Sequence, residues 1–177
     1  GTLDVGLASD VSTVPYGSLV QVLREEEVFL AISMFHPYAL THPSGTPITA
    51  EEVKANFADD SLLLSKKGAS LRMIGDQFFD SCGFEPVAVC ETNNISATRS
   101  MVAQNAGVAF ISESCSINRN HIAYYPLSPA MKRLNLVVRQ KDWVLNEPEQ
   151  AFMDQILNYF KQNTEHPYLA EKYSISF

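Results

Sequence analysis

Apolar segments of strand length alternate with segments of helical periodicity along most of this 177-residue chain. The clearest strand is the run at 28–34, which is apolar except for Ser33 and suits a sheet covered on both faces. Helices between strands require crossover connections, so we expect an α/β fold with a largely parallel sheet. Ligands of such folds bind outside the carboxyl ends of the strands. Further strands are predicted at 3–8, 61–64, 86–90, 108–112, 122–125 and 134–139.

Capping patterns predict where two helices begin. Thr49 and Glu52 have the spacing of a capping box, and Val53 and Phe57 then supply one apolar face. Asn146 precedes a Glu-Pro-Glu sequence and predicts the start of the last helix. The apolar face of that helix is predicted to contain Phe152, Ile156, Tyr159 and Phe160. After 162 the chain is polar and is predicted to be a tail.

Other local signals mark the helices in the middle of the chain. Ser70 is predicted to cap a helix that stops at Gly83, and a second helix is predicted at 96–104. Asn105 follows that second helix and tolerates the positive φ that a helix end often requires. The proline-rich segment 36–49 is predicted to be a surface loop. The apolar positions of the first of these helices are Leu71, Ile74, Phe78 and Cys82.

Composition and charge exclude several classes of protein. The hydrophobic fraction of 46% is that of a globular protein rather than a disordered one. Lys and Arg total 13 against 20 Asp and Glu, whereas a duplex-binding surface needs clustered positive charge. The longest apolar run is too short to cross a bilayer, and no signal-peptide pattern is visible. We therefore expect a soluble cytoplasmic protein that does not itself bind nucleic acid.

Signatures of catalysis or metal binding are not evident in the sequence. Cys82 and Cys90 invite a redox interpretation, but an apolar helix face and a strand end favour inert thiols, and Cys115 lacks a partner. His36 and His42 share one loop without an acidic residue between them to complete a metal site. The sequence therefore predicts no metal, no cofactor and no enzymatic activity.

Two loops that join a strand to a helix carry polar residues suited to a ligand. In the loop within 64–72 these are Ser65, Lys66, Lys67 and Ser70, which suit a carboxylate or another small anion at a helix N-terminus. The alternative is a plain loop with a helix cap and solvated lysines. The loop at 91–96 contains Thr92, Asn93 and Asn94, whose short side chains either bind a ligand or cap the following helix.

The acidic run at 25–27 has only Arg24 beside it. Its simplest interpretation is a solvated turn before the buried strand at 28–34.

The order of these segments resembles the effector-binding domain of LysR-type transcriptional regulators. Residues 1–7 resemble the family's G-x-L-D strand, and 23–31 resemble its crossover strand, followed by H-P-Y-A in place of H-P-L-A. Residues 68–86 and 101–112 resemble two further signatures, the second ending in the family's glycine-rich turn and strand. Two positions depart from that pattern: Asn105 replaces a glycine, and Ser112 replaces a proline and adds a hydroxyl to the rim of the site.

The resemblance implies the type 2 periplasmic-binding-protein fold, in which a hinge joins two α/β lobes around a ligand cleft. The first lobe is assigned to 1–30 and 128–177, and the second lobe to 31–127. The first lobe is expected to be incomplete in this chain, because the family's opening elements are missing. The ligand contacts that the resemblance implies are Ala8, Ser9, Ser65, Lys66, Ala69, Ser70, Thr92, Asn93, Ile111 and Ser112.

The implied function is to sense a small metabolite, a carboxylate or other anion, in the cleft between the lobes. The resemblance also implies a homo-oligomer, a dimer or, at full length, a tetramer, with no membrane partner and with DNA contacted only through a domain absent from this chain. A solute-binding protein of a transporter is an alternative of the same fold, but it would carry a secretory signal. A small-molecule lyase of this fold is the other alternative, and it would need a titratable pair in the cleft.

Overall fold

The structure is a computed structural model and describes residues 5–9, 17–116, 121–142 and 144–162. The chain divides into two compact units, which are described separately. The central unit is Glu26–Arg133, and the terminal unit combines Gly1–Glu25 with Leu134–Phe177. The first residues of the predicted opening strand and the predicted tail lie outside the described residues.

The central unit is built on a mixed sheet. Strand β4 lies between β5 and β6 and is parallel to both, whereas β2 is antiparallel to β6 and to β7. Val28 of β2 lies opposite Ser112, so β2 enters the unit at the carboxyl edge of the parallel strands. The α/β prediction is confirmed. The expectation of a largely parallel sheet is wrong where β2 pairs with β6 and β7. The strands are β2 (Ser18–Ser33), β3 (Ile48–Thr49), β4 (Leu62–Leu64), β5 (Ala88–Glu91), β6 (Val108–Ser112) and β7 (Ile122–Ser128).

Helices cover both faces of this sheet, and the local signals place several of their ends correctly. The capping box is present, since the amide of Glu52 donates to Thr49 Oγ1 while that of Thr49 donates to Glu52 Oε2. Gly83 and Asn105 take positive φ values of 69° and 58°, as predicted. The helices are α1 (Pro37–Thr41), α2 (Ala50–Phe57), α3 (Ser70–Cys82) and α4 (Ile95–Ala103).

Helix α1 corrects the prediction of a loop throughout 36–49. His36 is its N-cap and accepts the amide hydrogen of Tyr38 at Nδ1, while Pro37 presets φ for the first turn. The other ring nitrogen of His36 lies 3.1 Å from Asp60 Oδ2. Prolines are typical of turns, but at the first position of a helix the same fixed φ favours the helix instead.

Two apolar clusters pack on opposite faces of β6. Phe110 contacts Phe78 and Phe79 of α3, whereas Ala109 and Ile111 belong to the cluster that contains Val102 of α4. Since side chains alternate along a strand, Ser112 lies on the same face as Phe110, the face that α3 covers.

Helix α3 approaches β6 closely at a glycine. A Cβ atom on Gly75 would lie 2.9 Å from the ring of Phe110, closer than carbon atoms pack. The absence of a side chain at this position allows α3 to lie directly over β6.

Within its described residues, the terminal unit contains two further strands and one helix: β1 (Val5–Ala8), β8 (Lys132–Gln140, within this unit from Leu134) and α5 (Glu147–Gln162). Strand β1 pairs antiparallel with β8. The predicted cap of α5 is confirmed, because Asn146 Oδ1 accepts the amide hydrogen of Glu149. The predicted apolar face is wrong in part, since Phe152 is 50% and Tyr159 61% exposed while Met153 packs against Leu23 and Val137. Among the described helices, none has the length and apolarity to cross a bilayer.

Candidate functional site

The carboxyl ends of the three parallel strands form one polar edge of the central unit. Leu64 lies opposite Glu91 in the register of β4 with β5, and the register of β4 with β6 places Ser112 just beyond this level. The loops that follow these strands therefore emerge side by side. They bring together seven of the predicted contacts: Ser65, Lys66, Ala69, Ser70, Thr92, Asn93 and Ser112.

Hydrogen bonds join the first two loops of this edge. The backbone amide of Lys66 donates to Asn93 Oδ1 at 2.9 Å, and the amide of Thr92 donates to the carbonyl of Leu64 at the same distance. Thr92 Oγ1 in turn accepts the amide hydrogen of Asn94. The two loops therefore have a fixed spacing, which is a requirement for a site that discriminates between small ligands.

Arg72 supports the same edge and is not among the site residues predicted from the sequence. Its Nη1 donates to the carbonyl of Ser65 and to Glu91 Oε1, while its Nε contacts Asp76. Hydrogen bonds to Glu91 and Asp76 raise the pKa of this guanidinium above its usual value. The spacing of Arg72 and Asp76 by four residues in a helix was the available signal. Because two carboxylates already pair with Arg72, it positions the loop of Ser65 rather than offering a free charge.

The two helices that start at this edge have different N-termini. Asn94 caps α4, and its Oδ1 accepts the amide hydrogens of Ser96 and Ala97. The N-cap of α3 is Ala69, which has no side-chain oxygen, and the prediction that Ser70 is the cap is wrong because Ser70 is the first helical residue. The first turn of α3 also contains no acidic residue. The N-terminus of α3 therefore lacks a side-chain cap, and its dipole favours a negative charge there.

Ser112 completes the candidate site beside the N-terminus of α3. Its side chain is 1% exposed, and its Oγ has no hydrogen-bond partner among the described residues. Since a buried hydroxyl without a partner is destabilising, such a group indicates a place where a ligand completes the hydrogen bond. The site thus combines the N-terminus of α3, which has no side-chain cap, with the hydroxyl of Ser112 and the neighbouring Lys66 and Lys67.

Three predicted contacts do not join this cluster. Ile111 is fully buried on the opposite face of β6, and its contact with a ligand stays a prediction. Ala8 and Ser9 lie at the end of β1 in the terminal unit, where Ala8 pairs with Leu136. Their role also stays a prediction.

The acidic run at 25–27 is part of strand β2, so the interpretation as a solvated turn is wrong. The side chain of Glu26 is 0% exposed, and its Oε1 lies 2.9 Å from Arg133 Nε in an ion pair. Glu26 Oε2 accepts the amide hydrogen of Ser114 at 3.1 Å, just after Ser112. No local pattern in the sequence pointed to Arg133, because it lies far along the chain.

The cysteine thiols are unreacted, and Cys82 and His42 pack against other parts of the fold. All three cysteines are free thiols, and burial raises the pKa of Cys82, which makes this thiol less reactive. His42 stacks on Tyr38 with ring centroids 3.9 Å apart. Within the described ranges, no group of three or more His, Cys, Asp or Glu side chains is arranged to hold a metal ion.

The chain matches a known class of ligand-binding domain. A family model for the LysR substrate binding domain matches residues 1–161. The chain therefore belongs to the LysR substrate-binding domain family, which confirms the resemblance. A curated relative, the uncharacterized HTH-type transcriptional regulator YybE of Bacillus subtilis (strain 168), is 24% identical over 141 residues. The match covers 79% of this chain but 46% of YybE, so the chain spans less than half the length of this relative.

Solved structures show the same fold. The regulatory domain of Synechocystis PCC6803 CcmR in complex with 2-PG has a TM-score of 0.72 at 19% identity, covering 90% of this chain and 74% of CcmR's. The effector-binding domain of QuiR in complex with shikimate gives the same TM-score and identity, covering 90% and 73%. The reduced OxyR regulatory domain from Pseudomonas aeruginosa gives a TM-score of 0.68 at 20% identity, also covering 90% and 73%. The predicted type 2 periplasmic-binding-protein-like fold is confirmed.

Proposed function

We propose that this chain is the effector-sensing part of a LysR-type transcriptional regulator and binds a small anion at the N-terminus of α3. Two features together carry the proposal. The N-cap of α3, Ala69, has no side-chain oxygen, and the buried hydroxyl of Ser112 has no hydrogen-bond partner among the described residues. An anion between them would accept hydrogen bonds from the first amides of α3 and from Ser112 Oγ.

The charges around this edge favour a carboxylate or phosphate over a cation. Lys66 and Lys67 lie in the loop before α3, and the acidic Glu91 and Asp76 are paired with Arg72. The CcmR and QuiR domains, whose structures contain 2-PG and shikimate, make these two compounds suitable first probes. In this proposal 1–30 and 128–177 form the first lobe and 31–127 the second, and Ile111, Ala8 and Ser9 are further ligand contacts.

The chain would act as a binding module without catalytic activity in a cytoplasmic regulator. DNA would be contacted by a separate domain, since an acidic chain lacks the clustered positive charge that the DNA backbone requires. A homodimer, and a tetramer of the full-length protein, would transmit the binding signal. The support for an oligomer is β5, which lies at the edge of the described sheet. Val87 just before this strand is 64% exposed, and Val89 within it is 53% exposed.

Thermal unfolding with added anions tests the binding proposal, because a ligand that binds only the folded protein raises Tm. The probes are 2-PG, shikimate, succinate and inorganic phosphate, with choline as a cationic control. We expect at least one anion to raise the Tm of the wild-type chain and to lose most of this effect in Ser112→Ala. The proposal would be contradicted if no anion raised the Tm of the wild-type chain, or if the rise in Tm were equally large in Ser112→Ala.

A further inference from the structure

We propose that Glu26 is a positioning residue. It fixes Ser112 of the anion site, and the turn that follows it, relative to the two strands that connect the units. This inference rests on the proposed function, because it takes Ser112 as part of the binding site. The central unit begins at Glu26 on β2 and ends at Arg133 on β8. The ion pair between these residues therefore joins the two strands at the points where they leave the unit.

The carboxylate of Glu26 holds two separate segments at once. One oxygen pairs with Arg133 on β8 at 2.9 Å, and the other accepts the amide hydrogen of Ser114 at 3.1 Å. Ser114 belongs to the short 3₁₀ turn, Glu113–Cys115, that directly follows β6. Since β6 ends at Ser112, the position of Glu26 determines where the turn beside the site lies.

A reciprocal contact holds the same turn from the other side. Glu113 Oε2 accepts the amide hydrogen of Glu27 at 3.3 Å, so each segment supplies one carboxylate and one backbone amide to the other. Ser112 also lies opposite Val28 in the antiparallel pair of β2 and β6. Residues 112–114 are therefore bound to 26–28 at three successive points, and a shift of one segment displaces the other.

Because Glu26 is buried, its carboxylate depends on the two partners that it contacts. Glu26 is 0% exposed, and burying a carboxylate is unfavourable unless it is paired and hydrogen-bonded. A displacement of either connecting strand would separate Glu26 from Arg133 or from Ser114. Anion binding at Ser112 and the position of the two strands are thereby energetically linked.

Three variants of the 177-residue chain separate a positioning role from a structural one. Glu26→Gln removes the charge with little change in size, and Glu51→Gln makes the same change at an exposed residue of α2. The double variant Glu26→Leu with Arg133→Met replaces the ion pair by apolar side chains, which often restores stability. It still leaves the amide of Ser114 without its acceptor. The readouts are Tm, amide hydrogen exchange at Ser114 and Glu27, and affinity for 2-PG, shikimate, succinate and inorganic phosphate.

In Glu26→Gln we expect exchange at Ser114 to accelerate about tenfold or more and probe affinity to fall by about fivefold or more. Glu51→Gln should change both by less than about twofold. The double variant should recover Tm while its affinity stays low, because the turn has lost its acceptor.

Two results would overturn the positioning role: unchanged exchange at Ser114 in Glu26→Gln, or wild-type affinity in the double variant together with recovered Tm. If the wild-type chain binds none of the four anions, the proposed function fails. The exchange rates at Ser114 and Glu27 then still decide whether Glu26 fixes this turn.

Discussion

The backbone amide of Lys66 donates to the side-chain oxygen of Asn93 across 2.9 Å, so the loop after β5 fixes the main chain of the loop after β4. The neighbouring Asn94 points its oxygen into its own helix and caps α4. Adjacent asparagines therefore have different roles. Asn93 sets the distance between two loops of the candidate site, and Asn94 caps the N-terminus of α4.

These tasks predict different effects of the same substitution. Asn93→Ala should lower the affinity for an anion about fivefold while reducing stability by about 0.5–1 kcal/mol, since the exposed Lys66 amide can bond to water instead. Asn94→Ala should cost about 1 kcal/mol through loss of the α4 cap and leave affinity within about twofold. Urea unfolding and anion titration of both variants measure these quantities. Equal losses of affinity in the two variants would show that Asn93 has no special role.

Ala69→Asp should stabilise the protein and abolish anion binding. A carboxylate at the N-cap would accept the first amide hydrogens of α3, which is worth about 1 kcal/mol and raises Tm by about 2–4 °C. The same carboxylate would occupy the position of the ligand and repel it. Ala55→Asp on the exposed face of α2 is the control for added charge. Retained anion binding in Ala69→Asp would exclude the N-terminus of α3 as the site.

Tyr125 predicts how stability changes at alkaline pH. Its hydroxyl donates to the carbonyl of His42 at 2.7 Å, and burial raises its pKa from 10.0 to about 12. Because the neutral form is favoured in the folded state, its contribution is complete below pH 10. It is lost as the pH rises from 10 to about 12.

Tyr125→Phe tests this relation. The variant should lose about 0.5–1.5 kcal/mol at pH 8 and then decline less steeply than the wild type between pH 10 and 12. Urea unfolding at intervals over this range measures the decline, with the exposed Tyr159→Phe as the control. If the free energy of unfolding fell equally steeply in Tyr125→Phe and in the wild type, Tyr125 would not be the cause of the alkaline decline.

The edge strand β5 predicts a means of breaking the oligomer. Val89→Lys places a charge on an unpaired strand edge, which opposes pairing with a second chain, and should shift a dimer toward monomer. Val144→Lys is the matched control, because Val144 is also exposed but lies in the terminal unit. Sedimentation velocity over a range of concentrations measures the shift. A dimer that withstands Val89→Lys would place the interface elsewhere.

Local signals in the sequence predicted much of the fold. The caps at Thr49 and Asn146 and the helix ends at Gly83 and Asn105 depend on residues close in the chain, and all four were correct. The alternation of strand and helix segments likewise predicted the polar edge at which Lys66 and Asn93 meet.

Features that depend on distant residues were not predictable in this way. The run at 25–27 looked solvated because nothing nearby neutralises it, whereas Glu26 is paired with Arg133 at the other end of the unit. The start of α3 was misplaced by one residue, and only that shift reveals that Ala69 leaves its N-terminus without a cap. The apolar face of α5 was misassigned because Met153, rather than Phe152, meets Leu23.

Selection for thermal stability alone would act against the binding site. An alanine in place of Ser112 removes a buried hydroxyl that lacks a partner among the described residues, and an aspartate in place of Ala69 adds a missing cap. Libraries enriched for heat resistance without ligand should therefore accumulate changes at these two positions. Libraries selected for a transcriptional response should retain both residues, so the difference between the two enrichment profiles would locate the functional part of the surface even before the effector is identified.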